Sequence, residues 1–119
     1  MHRDIKLDNI LLSTEGEIKI CDFGVSKIIK KGEKMSEQCG TPAYIAPEIL
    51  LDKGYDGFAC DIWSAGIVLY AMLYGTVPFK ANNMSELQKI IIRGKYTLGE
   101  GISKEAKDLL QKLLERDPM

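Results

Sequence analysis

Short runs of apolar residues near the start of the chain predict a β-hairpin. Residues 9–12 form an apolar run, residues 13–16 are turn formers, and Ile18 and Ile20 then alternate with polar neighbours. From residue 21 to 44 the hydrophobic periodicity disappears, and lysine and glycine residues are frequent. We therefore interpret residues 21–44 as a long loop. Long loops inside compact domains are usually functional or mobile.

The rest of the chain has the hydrophobic pattern of helices. Pro47 suits the first turn of a short helix. Residues 61–74 are apolar on every side and are followed by Gly75, so they predict a helix that is surrounded by other elements. Residues 84–94 predict an amphipathic helix that ends at its glycine.

The last predicted helix has the clearest signals. Ser103 is a good N-cap and Glu105 lies in the first turn. One apolar stripe follows at helical spacing: Ala106, Leu109, Leu110, Leu113 and Leu114. The pattern therefore predicts a mainly α fold with a small hairpin and a buried central helix, in one unit that spans residues 1–119.

Composition and charge exclude several classes of protein. The net charge of −1 does not suggest nonspecific nucleic-acid binding, and the apolar run 62–74 is shorter than a membrane span of about 20 residues. The three cysteines form no CxxC pair, which argues against a disulfide scaffold or a zinc site. We therefore expect neither nucleic-acid nor membrane partners, and a cytoplasmic location that could extend to the nucleus.

Three short motifs carry the chemistry. His-Arg-Asp occupies residues 2–4 and is followed, after four residues, by Asn9; Asp-Phe-Gly occupies 22–24 and Ala-Pro-Glu occupies 46–48. Each triplet alone occurs by chance, but the three in this order are specific. With "CGTPAYIAPE" and "DIWSAGIVLY", they make the whole chain resemble the carboxyl-terminal lobe of a eukaryotic protein kinase. The style is closest to the calcium/calmodulin-dependent and AMP-activated branch.

The resemblance implies a role for each polar residue of the first motif. Asp4 would orient the substrate hydroxyl, and Lys6 would neutralise the transferring phosphate, in the pattern of serine/threonine kinases. Thr41 would bond both side chains from the substrate-facing loop. Asn9 and Asp22 would hold Mg²⁺, which bridges the phosphates of ATP, because both offer hard oxygen ligands.

Other positions take supporting roles by the same resemblance. Cys21 would line the nucleotide site, and Asp61 would hold the backbone of the catalytic loop. Glu48 would pair with an arginine two positions after Met119, a place that Arg116 does not occupy. Three remaining members of these motifs would be structural: His2, Phe23 and Gly24. Of these, His2 and Phe23 would belong to a hydrophobic column that joins the two lobes.

Simpler interpretations stay open at this point. Asp4 and Asn9 are also turn formers, and Asp61 could be the N-cap of the buried helix, either instead of or in addition to its role toward the loop. Cys21 could be a buried, inert thiol. His2 and Phe23 could be plain packing residues.

A regulatory contact is also predicted. Kinases with an arginine at the place of Arg3 commonly use it to hold a phosphorylated loop. Glu37 stands where many relatives carry the phosphorylated threonine, so we expect a permanent but weaker contact between Arg3 and Glu37. Glu37 could instead be a solvated loop residue. Ser36 and Thr41 remain candidate modification sites.

The resemblance sets an expectation for activity. In kinases, the catalytic loop is preceded by a glycine-rich loop, a phosphate-pairing lysine and an adenine-binding hinge. We therefore expect that the amino-terminal lobe is absent here. We also expect that activity requires this lobe. The substrates would be proteins, with a preference for basic residues near the acceptor because of Asp8, although Ala71 replaces a second acid. The alternative function is a truncated, non-catalytic module that binds substrates or partners. A small-molecule phosphotransferase fits the substrate loop poorly.

Overall fold

Four α-helices and two small antiparallel strand pairs make up the part of the chain that the computed structural model describes, namely residues 1–24, 26, 28–30, 34–35, 41–51 and 55–115. The strands are β1 (Ile10–Leu12), β2 (Ile18–Ile20), β3 (Lys34–Met35) and β4 (Tyr55–Asp56). The helices are α1 (Pro47–Leu50), α2 (Gly57–Tyr74), α3 (Met84–Arg93) and α4 (Lys104–Leu113). Two 3-10 turns, Leu7–Asn9 and Pro42–Tyr44, precede β1 and α1.

The predicted hairpin is confirmed. β1 pairs antiparallel with β2, so that Ile10 lies opposite Ile20 and Leu12 lies opposite Ile18. Gly16 adopts a φ of 85° in the turn, a conformation that glycine reaches without steric cost. Asn9, which we had predicted to begin the strand, instead ends the 3-10 turn before it.

The second strand pair was not predicted. β3 pairs antiparallel with β4, with Lys34 opposite Asp56. A strand of two residues is too short to show alternation, and β3 lies inside the aperiodic region 21–44. Residues 42–44 of that region form a 3-10 turn. Apart from β3 and this turn, the described residues of the region lie outside helices and strands, as the loop prediction requires.

The central helix α2 begins four residues earlier than the sequence predicted. Its N-cap is Asp56, whose Oδ1 accepts a hydrogen bond from the Phe58 backbone N–H at 3.0 Å. The interpretation of Asp61 as an N-cap is therefore wrong, because Asp61 lies inside the helix. The end of the helix is as predicted, since Gly75 adopts a left-handed φ of 76° after Tyr74.

The core forms around one side of α2. Trp63 and Ile67 are buried there, and the Trp63 ring stacks on Phe79 with a centroid distance of 5.8 Å. Ile91 of α3 and Leu110 of α4 complete the same cluster. These contacts explain why a helix that is long and apolar enough to cross a membrane, by length and composition, packs as a core helix in this fold.

Among the described residues, the prediction that other elements surround α2 holds for one face of the helix and fails for another. Ile62 is 52% exposed and Met72 is 59% exposed, although both are apolar. Together with Ile10 and Ile20 of the hairpin, they line an open apolar groove between α2 and the β1–β2 pair. The hairpin therefore lies beside α2 without closing that face.

Both amphipathic helices have a side-chain N-cap, of which Ser103 was predicted and Asn83 was not. Asn83 accepts from the Glu86 N–H at the start of α3, and Ser103 accepts from the Ala106 N–H at the start of α4. The apolar stripe of α4 is narrower than predicted, because Leu109 is 48% exposed whereas Leu110 is buried. Arg116 lies outside the described residues.

We predict that Gly66→Ala destabilises the protein by about 1–3 kcal/mol through overpacking. An added Cβ at Gly66 of α2 would lie 2.8 Å from the Cβ of Leu113 in α4. This clash outweighs the gain in helix propensity of roughly 1 kcal/mol. The midpoint of urea unfolding measures the effect.

The matched control is Gly99→Ala, whose added Cβ would meet its nearest neighbour, Tyr74, at an ordinary 3.4 Å. It should leave the unfolding midpoint almost unchanged. A Gly66→Ala protein as stable as the unmodified one would show that the two helices separate without cost.

Candidate active site

The backbone of residues 2–9 is attached to α2 by one carboxylate. Asp61 Oδ2 accepts a hydrogen bond from the His2 backbone N–H at 2.6 Å, and Asp61 Oδ1 accepts from the Arg3 N–H at 3.0 Å. Arg3 has a φ of 73°, a left-handed conformation that costs a residue with a Cβ roughly 1–2 kcal/mol. The predicted role of Asp61 toward this loop thus matches the observed contacts.

The His2 ring joins this loop to residues 21–23. Its Nδ1 accepts from the Asp4 backbone N–H at 3.1 Å, and its Nε2 lies 2.8 Å from the Cys21 carbonyl oxygen. Because the first partner is a donor and the second an acceptor, the neutral ring must carry its proton on Nε2. The Phe23 ring meets His2 edge-on, with centroids 4.6 Å apart, while 59% of Phe23 is exposed.

Thr41, from a distant part of the chain, meets two polar side chains of this loop, Asp4 and Lys6. Thr41 Oγ1 donates to Asp4 Oδ1 at 2.8 Å and accepts from Lys6 Nζ at 3.0 Å. Lys6 Nζ also lies 3.7 Å from Asp4 Oδ2. The structure therefore brings Asp4 and Lys6, predicted to act on the substrate hydroxyl and the transferring phosphate, together with Thr41, which was predicted to bond both.

Asn9 is buried and oriented by the same loop. Its Nδ2 donates to the Asp4 carbonyl oxygen at 2.8 Å and approaches Asp4 Oδ2 at 3.4 Å. Because the nitrogen and oxygen of a carboxamide point in opposite directions, this bond turns the Oδ1 oxygen of Asn9 away from Asp4. That oxygen is the atom that a hard cation would use.

The hairpin brings Asn9 and Asp22 into the same region. Its strand pairing continues beyond Ile10 and Ile20, since the Cys21 N–H donates to the Asn9 carbonyl oxygen at 2.8 Å. Asp22 follows directly, with a left-handed φ of 62°, and its Oδ1 accepts from the Gly24 N–H at 3.3 Å.

One carboxamide oxygen and one carboxylate match the chemistry of Mg²⁺, which takes one or two protein ligands and completes its shell with water and phosphate. The described residues contain no cluster of three or more histidine, cysteine or acidic side chains that would form a complete protein cage for a metal. The donor set therefore fits a metal that is shared with a phosphate ligand.

The segment that carries Thr41 is anchored to α2. Ser64 Oγ donates to the Tyr44 carbonyl oxygen at 2.8 Å, and Cys60 Sγ donates to Glu48 Oε1 at 3.5 Å. Burial, and then the negative charge of Glu48, raise the pKa of the Cys60 thiol far above its usual range, so the thiol stays protonated. Cys60 and Ser64 were not predicted as site residues. Both lie in the same turn of α2 as Asp61, which was predicted.

Some predicted residues remain untested by the geometry. Ser36 and Glu37 lie outside the described residues, so the contact between Arg3 and Glu37 stays a prediction. Cys21 is half-buried, and the hydrogen bonds given above use only its backbone. Its predicted place beside a nucleotide also stays a prediction.

Comparisons with known proteins agree with this geometry. The chain matches the family described as "Protein kinase domain" over residues 1–119. It is 42% identical over 118 residues to CBL-interacting serine/threonine-protein kinase 21 of Arabidopsis thaliana, covering 99% of this chain and 28% of that protein. It is 46% identical over 120 residues to CBL-interacting serine/threonine-protein kinase 5 of the same plant, covering 98% of this chain and 27% of the relative.

A mouse protein shows the same relationship. Sperm motility kinase 3A of Mus musculus is 43% identical over 118 residues, which are 99% of this chain and 23% of that protein. The chain thus spans about a quarter of the length of the curated relatives that it matches.

We predict that Asp61→Asn destabilises the protein by about 1.5–3 kcal/mol, the usual contribution of a hydrogen bond to a charged group. An asparagine side chain keeps one acceptor oxygen and directs its NH₂ group at the second backbone N–H. One of the two donors at His2 and Arg3 therefore loses its partner. Chemical unfolding followed by circular dichroism measures the change.

Asp108→Asn is the matched control, because Asp108 forms an exposed pair with Lys112 at 2.9 Å on α4. Exposed pairs contribute about 0–1 kcal/mol, so this variant should unfold close to the unmodified protein. Equal stability of the two variants would contradict the role given to Asp61.

Proposed function

The chain belongs to the protein kinase family, and from that premise we propose that the protein containing it transfers the γ-phosphoryl group of ATP to serine and threonine hydroxyls of proteins. The observation that carries this proposal is the meeting of Asp4, Lys6 and Thr41 through contacts of 2.8, 3.0 and 3.7 Å. A module that only binds partners has no need of this arrangement, which favours the catalytic function.

Asp4 would receive the acceptor hydroxyl. Thr41 donates to Asp4 Oδ1 and Asn9 approaches Oδ2, so the carboxylate is held in one orientation. The side chain of Asp4 keeps 17% of its surface exposed, which leaves room for a substrate hydroxyl to donate to it. Orientation of this oxygen in line with the phosphorus is the main requirement of phosphoryl transfer.

Lys6 would stabilise the charge that develops during transfer. Its ammonium lies between Asp4 and Thr41 and is partly exposed, at 24% of its side-chain surface. A cation fixed at this point can approach the transferring phosphoryl oxygens while it remains paired with Asp4. Thr41 limits the motion of the long lysine side chain.

Asn9 and Asp22 would hold Mg²⁺ together with ATP. When bound, the metal neutralises phosphate charge and fixes the phosphate chain. The contributions of this chain are the Oδ1 oxygen of Asn9, oriented by Asp4, and the Asp22 carboxylate, held by the Gly24 N–H. The strand contact between Asn9 and Cys21 keeps Asn9 and Asp22 at the same end of the hairpin.

Protein substrates with basic residues near the acceptor are the finer part of the proposal. Asp8 is exposed in the 3-10 turn between Lys6 and Asn9, and it therefore offers a carboxylate beside the site. Ala71 is buried and apolar, so it adds no charge at the second position that relatives use. The basic preference should rest on Asp8 alone.

We propose that the protein is located in the cytoplasm, a location that could extend to the nucleus. Cys21 and Cys60 are free thiols, and free thiols suit these reducing compartments.

We predict that Asp4→Asn lowers kcat about 10²–10⁴-fold in the full-length protein, the range usually lost with a positioned acid–base group. The amide keeps the size of Asp4 but cannot accept a proton as a carboxylate does. Transfer of radiolabelled phosphate from ATP to a serine peptide measures the rate.

Asp108→Asn again serves as the control, since Asp108 lies on α4 outside the site and should leave kcat unchanged. If Asp4→Asn kept full activity, the proposed role of Asp4 would be rejected. A circular dichroism spectrum equal to that of the unmodified protein shows that a loss of kcat in Asp4→Asn is not caused by unfolding.

We also predict that Asp8→Ala raises KM for a peptide with arginine upstream of the acceptor by a factor of about 1.4–5, which corresponds to the loss of one exposed charge pair of about 0.2–1 kcal/mol. KM for the matching alanine peptide should stay the same. Glu15→Ala, which removes an exposed carboxylate in the hairpin turn, should change neither value. Equal effects of Asp8→Ala on both peptides would refute the basic preference.

A further inference from the structure

One turn of α2 is attached to two separate points of the segment 41–50. The Ser64 hydroxyl donates to the Tyr44 carbonyl oxygen at 2.8 Å and has a second acceptor, the Cys60 carbonyl oxygen of its own helix, at the longer distance of 3.1 Å. Cys60 Sγ donates to Glu48 Oε1 at 3.5 Å. Residues four apart on a helix lie on the same face, one above the other. Tyr44 belongs to a 3-10 turn and Glu48 to α1, so the two contacts fix successive parts of the segment.

Movement of this segment would reach Thr41 directly. Thr41 is the N-cap of the turn that ends with Tyr44, and its carbonyl oxygen accepts from the Tyr44 N–H at 2.9 Å. The Thr41 hydroxyl contacts Asp4 at 2.8 Å and Lys6 at 3.0 Å. A shift of a few tenths of an ångström at Tyr44 would therefore change the hydrogen-bond geometry around Asp4.

We propose that Cys60 and Ser64 are positioning residues that act through Thr41: they attach the segment 41–50 to α2 and thereby set the protein-substrate side of the site. This inference rests on the proposed kinase function. Asp61, the residue after Cys60, holds the backbone of residues 2–9. The same helical turn thus fixes both Asp4 and Thr41.

The chemistry of Cys60 suits a permanent donor. Its side chain is buried, and burial together with the Glu48 charge raises the pKa of the thiol, so the S–H remains available to the carboxylate across the physiological pH range. A thiol is a weak donor. We therefore expect its removal to loosen the segment rather than to unfold the protein, because Ala46 and Ile49 remain packed in the core.

Hydrogen exchange in the protein tests the attachment without reference to activity. Ser64→Ala and Cys60→Val remove one donor each, and both should speed amide exchange in residues 41–50 several-fold while residues 84–93 stay unchanged. Ser64→Thr and Cys60→Ser keep a donor and should restore the exchange of the unmodified protein. Ile67→Val, which shortens a buried side chain elsewhere on α2, is the control for general loss of stability. Exchange in 41–50 that does not differ from this control would overturn the proposal.

Steady-state kinetics of the full-length protein tests the consequence. Ser64→Ala and Cys60→Val should raise KM for a peptide substrate several-fold with KM for ATP unchanged, and the conservative variants should restore the peptide KM. Equal changes in both KM values, or the same changes in Ile67→Val, would overturn the positioning role. If the unmodified protein transfers no phosphate, the proposed function fails, whereas the exchange measurement still decides whether these residues hold the segment.

Discussion

The site depends on two hydrogen bonds that the Asp61 carboxylate accepts from the backbone of His2 and Arg3, at 2.6 and 3.0 Å. They join residues 59 and 58 positions apart in the chain. Each bond to a charged group contributes about 1.5–3 kcal/mol, so the two together exceed the roughly 1–2 kcal/mol cost of the left-handed conformation at Arg3. The strained turn therefore persists because the core helix supplies a carboxylate at the right place.

The position of that carboxylate follows from core packing. Trp63 stacks on Phe79, and Ile67 is buried, so α2 has little freedom to rotate or slide. Asp61 and Ser64 project from the same part of the helix toward the site. The hydrophobic cluster thus fixes the position of the helical turn that makes the polar contacts, because Cys60 of that turn is itself part of the core. The precision of the site derives from this packing.

Some elements of the fold could be predicted from the sequence and others could not. The hairpin, the helices α3 and α4, the end of α3 at Gly94 and the N-cap Ser103 could be predicted, because periodicity and capping residues are local signals. The start of α2 was missed because Asp61 is an equally good N-cap candidate by residue type, whereas the cap in the structure is Asp56. The two-residue pair of β3 with β4 has no local signal at all.

The same distinction holds for the site. Asp4, Lys6 and Thr41 were predicted to meet because motif resemblance carries long-range information, and the structure places them together. The ring contacts of His2 with the Asp4 N–H and the Cys21 carbonyl oxygen were not predicted. Both partners are backbone groups, and backbone groups are identical at every residue, so the sequence carries no mark of them.

Two independent supports therefore converge on the loop 2–9. The hairpin places Asn9 beside Cys21, and so sets the side of the site proposed for metal and nucleotide. The helix α2 sets the side proposed for the protein substrate through Ser64 and the segment that carries Thr41. Asp4 lies between them, since Asn9 contacts it from one side and Thr41 from the other. The geometry at Asp4 consequently requires both supports, because neither the hairpin nor α2 alone contacts all of its partners.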